Sequence, residues 1–236
     1  SQGFQTLAKG QFLLLSRPRP HPSVRVGLVH SRTKGGSAGP RDQHRGPMID
    51  VTSDLFADLL RLPDGLFTRQ DAVGAGVRDR VIAAAVHRGL IVRVCRGVYT
   101  SPGPLTVDEQ RHLVARAAMR SYEDAVLVGA PAVAAHGIPL FEVPALPGDI
   151  ARPIVREART AQLRIRPLRH ASVETDWGPA TDLPTSLLQL TMDHGIPAGI
   201  ASIDAALHTD ATDTDALQAA LVEIAAWPRS SRARCA

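Results

Sequence analysis

The side chains best suited to chemistry in this chain are concentrated between residues 68 and 96. Most are arginines, and the others are polar side chains that donate or accept hydrogen bonds. Guanidinium groups bind phosphates and base edges, so this set indicates nucleic-acid binding and not bond breaking. The candidate DNA-contacting residues are Thr68, Arg69, Gln70, Arg78, Arg80, His87, Arg88, Arg93 and Arg96.

Two helices separated by a glycine-rich turn should carry most of these residues. Thr68 is a suitable N-cap, and Asp71 favours the positive end of a helix that runs to about Val73. The segment 74–76, Gly-Ala-Gly, ends that helix and reverses the chain. A second helix is expected over 77–88. Its apolar positions are Val77, Val81, Ala84, Ala85 and Val86, and its polar positions are Arg78, Arg80, His87 and Arg88.

A β-hairpin is expected directly after the second helix. Gly89 is a suitable C-cap, and residues 90–94 have the β-branched content of a strand. Arg96 and Gly97 then form a turn before Val98. Helix, turn, helix and basic hairpin together predict a winged helix-turn-helix, whose second helix reads DNA and whose wing lies on the phosphate backbone.

The sequence of this segment resembles the N-terminal domain of AbiEi-type antitoxins of type IV toxin–antitoxin systems. The resemblance rests on Gly65, Phe67, Thr68, Arg69, Ala72 and Gly76, then Arg88-Gly89, then Val92-Arg93-Val94 and Arg96-Gly97-Val98-Tyr99. It implies a DNA-binding regulator that represses its own operon and neutralises a partner toxin of nucleotidyltransferase type. From residue 184 onward the chain is only loosely similar to actinobacterial members, many of which continue into a domain resembling a restriction-type endonuclease.

Two other interpretations of the same segment stay open from the residues alone. Winged helices also serve as protein-interaction modules. In addition, Arg78, Arg80 and Arg88 can form surface ion pairs instead of DNA contacts, because Asp71 and Asp79 are available as partners.

Net charge gives weaker support for a polyanionic partner than it first suggests. The 236 residues carry a formal charge of +4. Residues 1–47 hold eight basic residues and one acidic residue, or +7, so the remainder carries −3. Residues 51–100 hold seven Arg and five Asp, or +2. A DNA interface must therefore be a local patch, with few phosphate contacts and a moderate salt dependence.

Residues 1–47 do not have the composition of a folded domain. They are rich in Pro, Gly, Ser and Arg, and we expect them to be disordered. Met48 immediately precedes the first patterned segment, so translation is suspected to begin there naturally. The alternatives are a basic arm that follows DNA and an organellar transit peptide. The apolar run 12–15 is too short for a secretory signal or a membrane span.

Outside the winged helix, the patterns predict an α+β domain. Helices are expected over 54–61, 106–122, 130–136, 184–192, 198–207 and 214–226. Strands are expected over 126–128, 154–156, 163–166 and 173–175. The alternation in the strand 163–166 suggests a sheet with one solvated face, made basic by Arg156, Arg159, Arg164, Arg166 and Arg169. This face is either an ordinary charged surface or a landing site for an acidic toxin or RNA.

Catalytic and metal-binding patterns are weak. Cys95 and Cys235 are too few and too far apart for a disulfide framework or a zinc site, which fits a reducing cytoplasm. The later histidines are expected at helix ends or on the surface; they are His136, His170, His194 and His208. The aspartates at 210, 213 and 215 are interpreted as polar residues that flank helices. We expect no metal, no cofactor and no enzymatic activity.

The sequence thus predicts three parts in an α+β chain: a basic segment over 1–47, a winged helix over 48–103 and an interaction domain over 104–236. The predicted function is a cytoplasmic transcriptional autorepressor and antitoxin. It would bind double-stranded DNA of its own promoter, with a nucleotidyltransferase-type toxin as its protein partner and no membrane contact. Binding as a dimer and binding as a monomer both stay open. The rival hypotheses are a truncated member of an endonuclease-bearing family and a winged helix that binds only proteins.

Overall fold

The computed structural model describes residues 56–236, which belong to one compact unit. Helices and two sheets alternate along this part, which confirms the α+β class. The predictions for 1–47, Met48 and the beginning of the first helix lie outside the described residues. Within residues 56–236, no helix combines the length and the apolar composition that crossing a lipid bilayer requires.

The first part of the described chain folds as the predicted winged helix. A helix over residues 56–60 (α1) and a 3₁₀ turn, Pro63–Gly65, lead into a three-stranded antiparallel sheet with strand order β1-β3-β2. Its elements are β1 (Leu66–Thr68), α2 (Arg69–Gly74), α3 (Asp79–His87), β2 (Val92–Cys95) and β3 (Val98–Thr100). The sequence did not predict strand β1, which pairs with β3 far along the chain.

Local signals fix both ends of α2 and the C-terminal end of α3. Thr68 and Asp71 form a reciprocal capping box at the start of α2. After α2, the amide of Gly76 donates to the carbonyl of Val73 and that of Val77 to Ala72, with Gly76 at φ +81°. This is a Schellman ending, which requires a left-handed residue and is therefore suited to glycine. Helix α3 ends in the same way at Gly89.

The core of the winged helix is partly aromatic. The ring of Phe67 lies 5.8 Å from that of Phe56 and 5.5 Å from that of Tyr99, measured between centroids. Ile82 and Ala85 bury the inner face of α3 against these rings. The predicted apolar stripe of this helix was partly wrong, because Ala84 is exposed and Ile82 occupies the core instead.

The second part is a mixed six-stranded sheet with helices packed on it. The strand order is β6-β7-β5-β4-β9-β8. The strands are β4 (Val126–Leu127), β5 (Gly148–Arg152), β6 (Ala158–Arg159), β7 (Leu163–Pro167), β8 (Ser172–Thr175) and β9 (Gly178–Thr181). The helices are α4 (Val107–Ser121), α5 (Ala130–Ala135), α6 (Leu183–His194), α7 (Ile196–His208), α8 (Thr214–Glu223) and α9 (Ser230–Ala233).

Helix α4 is shared by the cores of the two sheets. Its buried residues, including Val114 and Ala118, belong to one apolar cluster with Val94 and Val98 of the wing and Ile150 of the larger sheet. Polar contacts reinforce this packing, since the hydroxyl of Ser121 in α4 donates to the carbonyl of Arg96 at 3.3 Å. The domain boundary at 103/104 stays a prediction, but the apolar packing is continuous across it.

In the larger sheet, one predicted strand was wrong and three strands were missed. Residues 154–156 are irregular, and the strand that pairs with β4 and β7 is Gly148–Arg152. Its sequence, GDIAR, has no alternation of β-branched residues and follows a proline-rich stretch, so local pattern favoured a loop. Strands β6 and β9 are also short or poor in β-formers. Strand β6 pairs with the neighbouring strand β7, and β9 pairs with the neighbouring strand β8 and with the distant strand β4.

The predicted basic face of the sheet is corrected by the structure. The side chains of Arg164 and Arg166 are only 18% and 15% exposed. Both guanidinium groups bind Asp193 of α6, and Arg166 also binds Asp149 of β5 at 3.0 Å. The alternation at 163–166 is therefore real, but helix α6 covers the arginine side. Arg156, Arg159 and Arg169 are exposed.

Candidate nucleic-acid interface

The outer face of α3 has a polar side chain near each end, Arg80 and His87, and two small alanines between them. All four residues are exposed. They share one side of the helix because Ala83, Ala84 and His87 follow Arg80 by three, four and seven positions. Alanine methyl groups let a helix approach a groove closely and can contact the thymine methyl. Sequence reasoning missed these two alanines. The large apolar residue Ile82 is the signal that could have found them, because a helix that buries Ile82 leaves Ala83 and Ala84 exposed.

The flanks of α3 add two more exposed arginines. Arg78 is the N-cap residue of α3, where its side chain makes no capping hydrogen bond, and Arg88 is the C-cap residue. Gln70 lies exposed in the first turn of α2. Within residues 56–236, Arg78, Arg80 and Arg88 form no ion pair with a carboxylate.

Asp71 and Asp79, the expected partners of these arginines, are occupied elsewhere. Asp71 accepts from the amide and hydroxyl of Thr68 at 2.7 and 2.9 Å. Asp79 accepts two hydrogen bonds from Arg69, at 2.7 Å from Nε and 2.5 Å from a terminal nitrogen. The bonds from Arg69 hold the pKa of the Asp79 carboxyl below its ordinary value. Both carboxylates thus accept hydrogen bonds from residues of the α2 start, and the arginines of α3 are not used as their partners.

The wing presents its arginines at and beside the hairpin turn. Arg96 is exposed and is followed by Gly97 at φ +76°, a left-handed conformation that glycine adopts without strain. Arg93 is exposed on β2, and its Nε donates to the carbonyl of Cys95 at 3.3 Å. The amide of Arg69 donates to the carbonyl of Gly97 at 2.7 Å, which ties the turn to the start of α2.

The nine predicted contact residues therefore lie on the winged helix in different surroundings. Thr68 is half-buried, and its side chain is used as a cap. Arg69 is exposed but paired. The residues that are exposed and form no ion pair with another residue of 56–236 are Gln70, Arg78, Arg80, His87, Arg88, Arg93 and Arg96. These seven stay candidates for DNA contact.

Comparison with known families addresses this same region. Residues 57–102, 46 of the 236 residues, match the family model described as transcriptional regulator, AbiEi antitoxin. The winged helix is similar to that of AbiEi-type transcriptional regulators. The predicted resemblance to these antitoxins is confirmed for this segment. A search of curated proteins finds no match to the chain.

The AbiEi-type segment ends at residue 102, close to the end of β3, and therefore covers both helices and the whole hairpin. It leaves α4, the six-stranded sheet and helices α5 to α9 outside the matched range. The roles of those elements must be argued from their own geometry.

Proposed function

We propose that this protein is a transcriptional autorepressor and the antitoxin of a type IV toxin–antitoxin system, and that it acts in the cytoplasm. The observation that carries the DNA-binding half is the outer face of α3, where Arg80, Ala83, Ala84 and His87 are exposed beside the exposed arginines of the wing. The proposal assigns no catalytic step to the chain, because each role is one of binding.

In this proposal α3 enters the major groove. Arg80 and His87 contact base edges, and the two alanines between them allow close approach. Arg78 at the start of the helix and Arg96 at the wing bind phosphates on either side. The resulting number of phosphate contacts is small, so the affinity should fall only moderately as salt rises.

The antitoxin half is supported by the family description over 57–102. We assign toxin binding to the part of the chain after β3, with a nucleotidyltransferase-type toxin as the partner. Two copies of the chain would occupy a repeated operator, since winged helices commonly bind DNA as symmetric pairs.

The DNA-binding half is tested with a gel-shift titration on the DNA upstream of the chain's own reading frame. The Arg80→Ala/Arg96→Ala variant should bind at least about tenfold more weakly than wild type, because it loses one base contact and one phosphate contact. The matched control is Arg156→Ala/Arg234→Ala, which removes the same charge from two exposed arginines outside the winged helix. Equal binding by wild type and the Arg80/Arg96 variant would refute this half.

The antitoxin half is tested by co-expression with a nucleotidyltransferase encoded beside the chain. Wild type should restore growth that the nucleotidyltransferase alone arrests. The Arg80→Ala/Arg96→Ala variant should restore it as well, because toxin binding is assigned to another part of the chain. Continued growth arrest in the presence of soluble wild-type protein would refute the antitoxin half and leave the DNA-binding half standing.

A further inference from the structure

The second part of the chain contains a cavity of about 330 Å³ between the six-stranded sheet and the C-terminal helices. Its floor is buried and is formed by Val128, Ala151, Thr181 and Gln189. Its exposed lining residues include Arg169, Pro228 and Arg229, which place the opening beside the loop before α9. The volume lies at the lower end of the range for small-molecule sites.

Two buried polar atoms in the cavity wall have no hydrogen-bond partner in the described part of the chain. One is Oε1 of Gln189, a side chain that is only 4% exposed. The other is Nε2 of His170, whose Nδ1 lies 3.6 Å from a carboxylate oxygen of Glu223. An unsatisfied buried polar atom is destabilising, so both positions favour an occupant that hydrogen-bonds there.

The position of the arginines at the opening favours an anion, although the net charge of the region does not. Four arginines and two carboxylates line the cavity, and Asp149 behind the wall and Glu223 beside His170 balance the remaining two positive charges. Arg164 and Arg166 are consumed by Asp149, Glu157 and Asp193. The remaining two arginines, Arg169 and Arg229, form no ion pair within residues 56–236.

Aromatic contacts hold one of these free cations in place at the opening. The guanidinium of Arg169 lies 5.7 Å from the centre of the Trp227 ring, and the ring of His170 lies 4.9 Å from the same indole. Arg229 follows Trp227 by two residues and also lines the opening. The opening is therefore cationic, while the floor offers the hydrogen-bond acceptor of Gln189.

We propose that this cavity binds a small phosphate monoester that also carries an N–H or O–H donor, such as a mononucleotide. The phosphate binds Arg169 and Arg229, whose planar guanidinium groups suit phosphate oxygens. The donor group of the ligand reaches Oε1 of Gln189 at the floor. This site lies outside the matched winged helix and does not depend on the proposed function.

The test is isothermal titration of the full chain with the four common nucleoside 5′-monophosphates, ribose 5-phosphate and inorganic phosphate. At least one phosphate ester should bind, and inorganic phosphate should bind more weakly because it does not reach Gln189. Arg169→Gln/Arg229→Gln should weaken the binding of that ester by at least about tenfold, through loss of two charge-assisted contacts. Arg156→Gln/Arg234→Gln is the matched control and should bind like wild type.

A second variant separates the floor from the opening. Gln189→Leu removes the unsatisfied oxygen and keeps a similar volume, so it should weaken binding of the ester without weakening that of inorganic phosphate. A melting curve of each variant verifies that it is folded. The proposal is overturned if none of the esters binds, or if the Arg169/Arg229 variant binds as tightly as wild type. Equal affinity for inorganic phosphate and the best ester would overturn the role given to Gln189.

Discussion

The arginines on the winged helix and those on the six-stranded sheet are the same residue type in opposite surroundings. Arg80 and Arg96 are exposed and face no carboxylate in the described chain, whereas Arg164 and Arg166 lie beneath α6 against Asp149 and Asp193. An exposed guanidinium keeps its hydration and stays available for a partner, while a buried one needs its counter-charges to offset desolvation. The role of an arginine is thus decided by the carboxylates that the fold brings to it.

Removal of a buried arginine should have the largest effect on stability. Arg166→Ala removes one of the two cations beside Asp149 and Asp193, and Arg164 remains, 3.2 Å from an oxygen of Asp193 but 3.9 Å from one of Asp149. Burial already raises the pKa of the Asp149 carboxyl, so the loss of Arg166 makes its ionised form still less favourable. We expect the free energy of unfolding to fall by about 3–5 kcal/mol, measured by urea denaturation.

The control for this variant is Arg156→Ala, an exposed arginine in the same part of the chain, which should change stability by about 0.5 kcal/mol or less. A loss below about 1 kcal/mol for Arg166→Ala would mean that its counter-charges are solvated in solution. In that case the contrast between the two sets of arginines would not hold.

An exposed arginine of the wing should affect DNA binding instead. If Arg96 binds a phosphate, Arg96→Ala reduces the slope of log K against log salt by about one, because one fewer counterion is released. The slope is measured by fluorescence anisotropy over a range of salt concentrations. Arg156→Ala should leave it unchanged, and an unchanged slope for Arg96→Ala would remove the wing from the phosphate contacts.

The ion pair between Glu157 and Arg164 should make the stability of the fold depend on pH. The hydrogen bond from Arg164 is the main cause that lowers the pKa of the Glu157 carboxyl from 4.5 to about 2. Because the folded-state pKa lies below the unfolded value, this group stabilises the fold above pH 4.5 and loses that contribution as pH falls toward 2. The side chain is 36% exposed, so solvent screening keeps the effect modest.

Glu157→Gln should therefore melt below wild type near neutral pH, and the difference in melting temperature should shrink as the pH is lowered through this window. Scanning calorimetry at a series of pH values measures both curves. If the two curves stay parallel from neutral pH down to acid, the ion pair with Arg164 contributes nothing in solution.

The smallest effect on stability is expected for Arg69→Ala. Its pair with Asp79 has two short hydrogen bonds, but both side chains are more than half exposed. Water solvates the freed Asp79 carboxylate, so the melting temperature should be nearly unchanged. Asp79→Ala is the companion variant and should behave alike. A large drop in melting temperature for either variant would show that an exposed arginine ion pair contributes as much to stability as a buried one.

Features of the fold that depend on near neighbours could be predicted from the sequence. The cap at Thr68 uses Asp71 three residues later, and the turns at Gly76 and Gly89 follow from the need for a left-handed residue. The cap at Thr106 likewise uses Glu109. In each case the chain itself supplies both partners within one helical turn, so the local sequence contains the whole interaction.

Features that depend on distant partners could not be predicted. Arg166 binds residues 17 and 27 positions away, and nothing in its local alternation distinguishes an arginine that faces water from one that faces α6. Strand β5 has a sequence that favours a loop and is ordered by pairing on both sides. The cavity is invisible for the same reason, because its walls come from several separate segments.

Because the winged helix shares an apolar cluster with α4, it cannot be separated from the rest of the chain without exposing apolar side chains. Cutting the chain after β3 would expose Leu66, Val94 and Val98, which are at most 6% exposed in the intact fold. The excised fragment would have an exposed apolar surface, which favours self-association. Swapping DNA specificity between such proteins would therefore require grafting the outer face of α3 and the wing onto an intact chain, with the seam to α4 kept as it is.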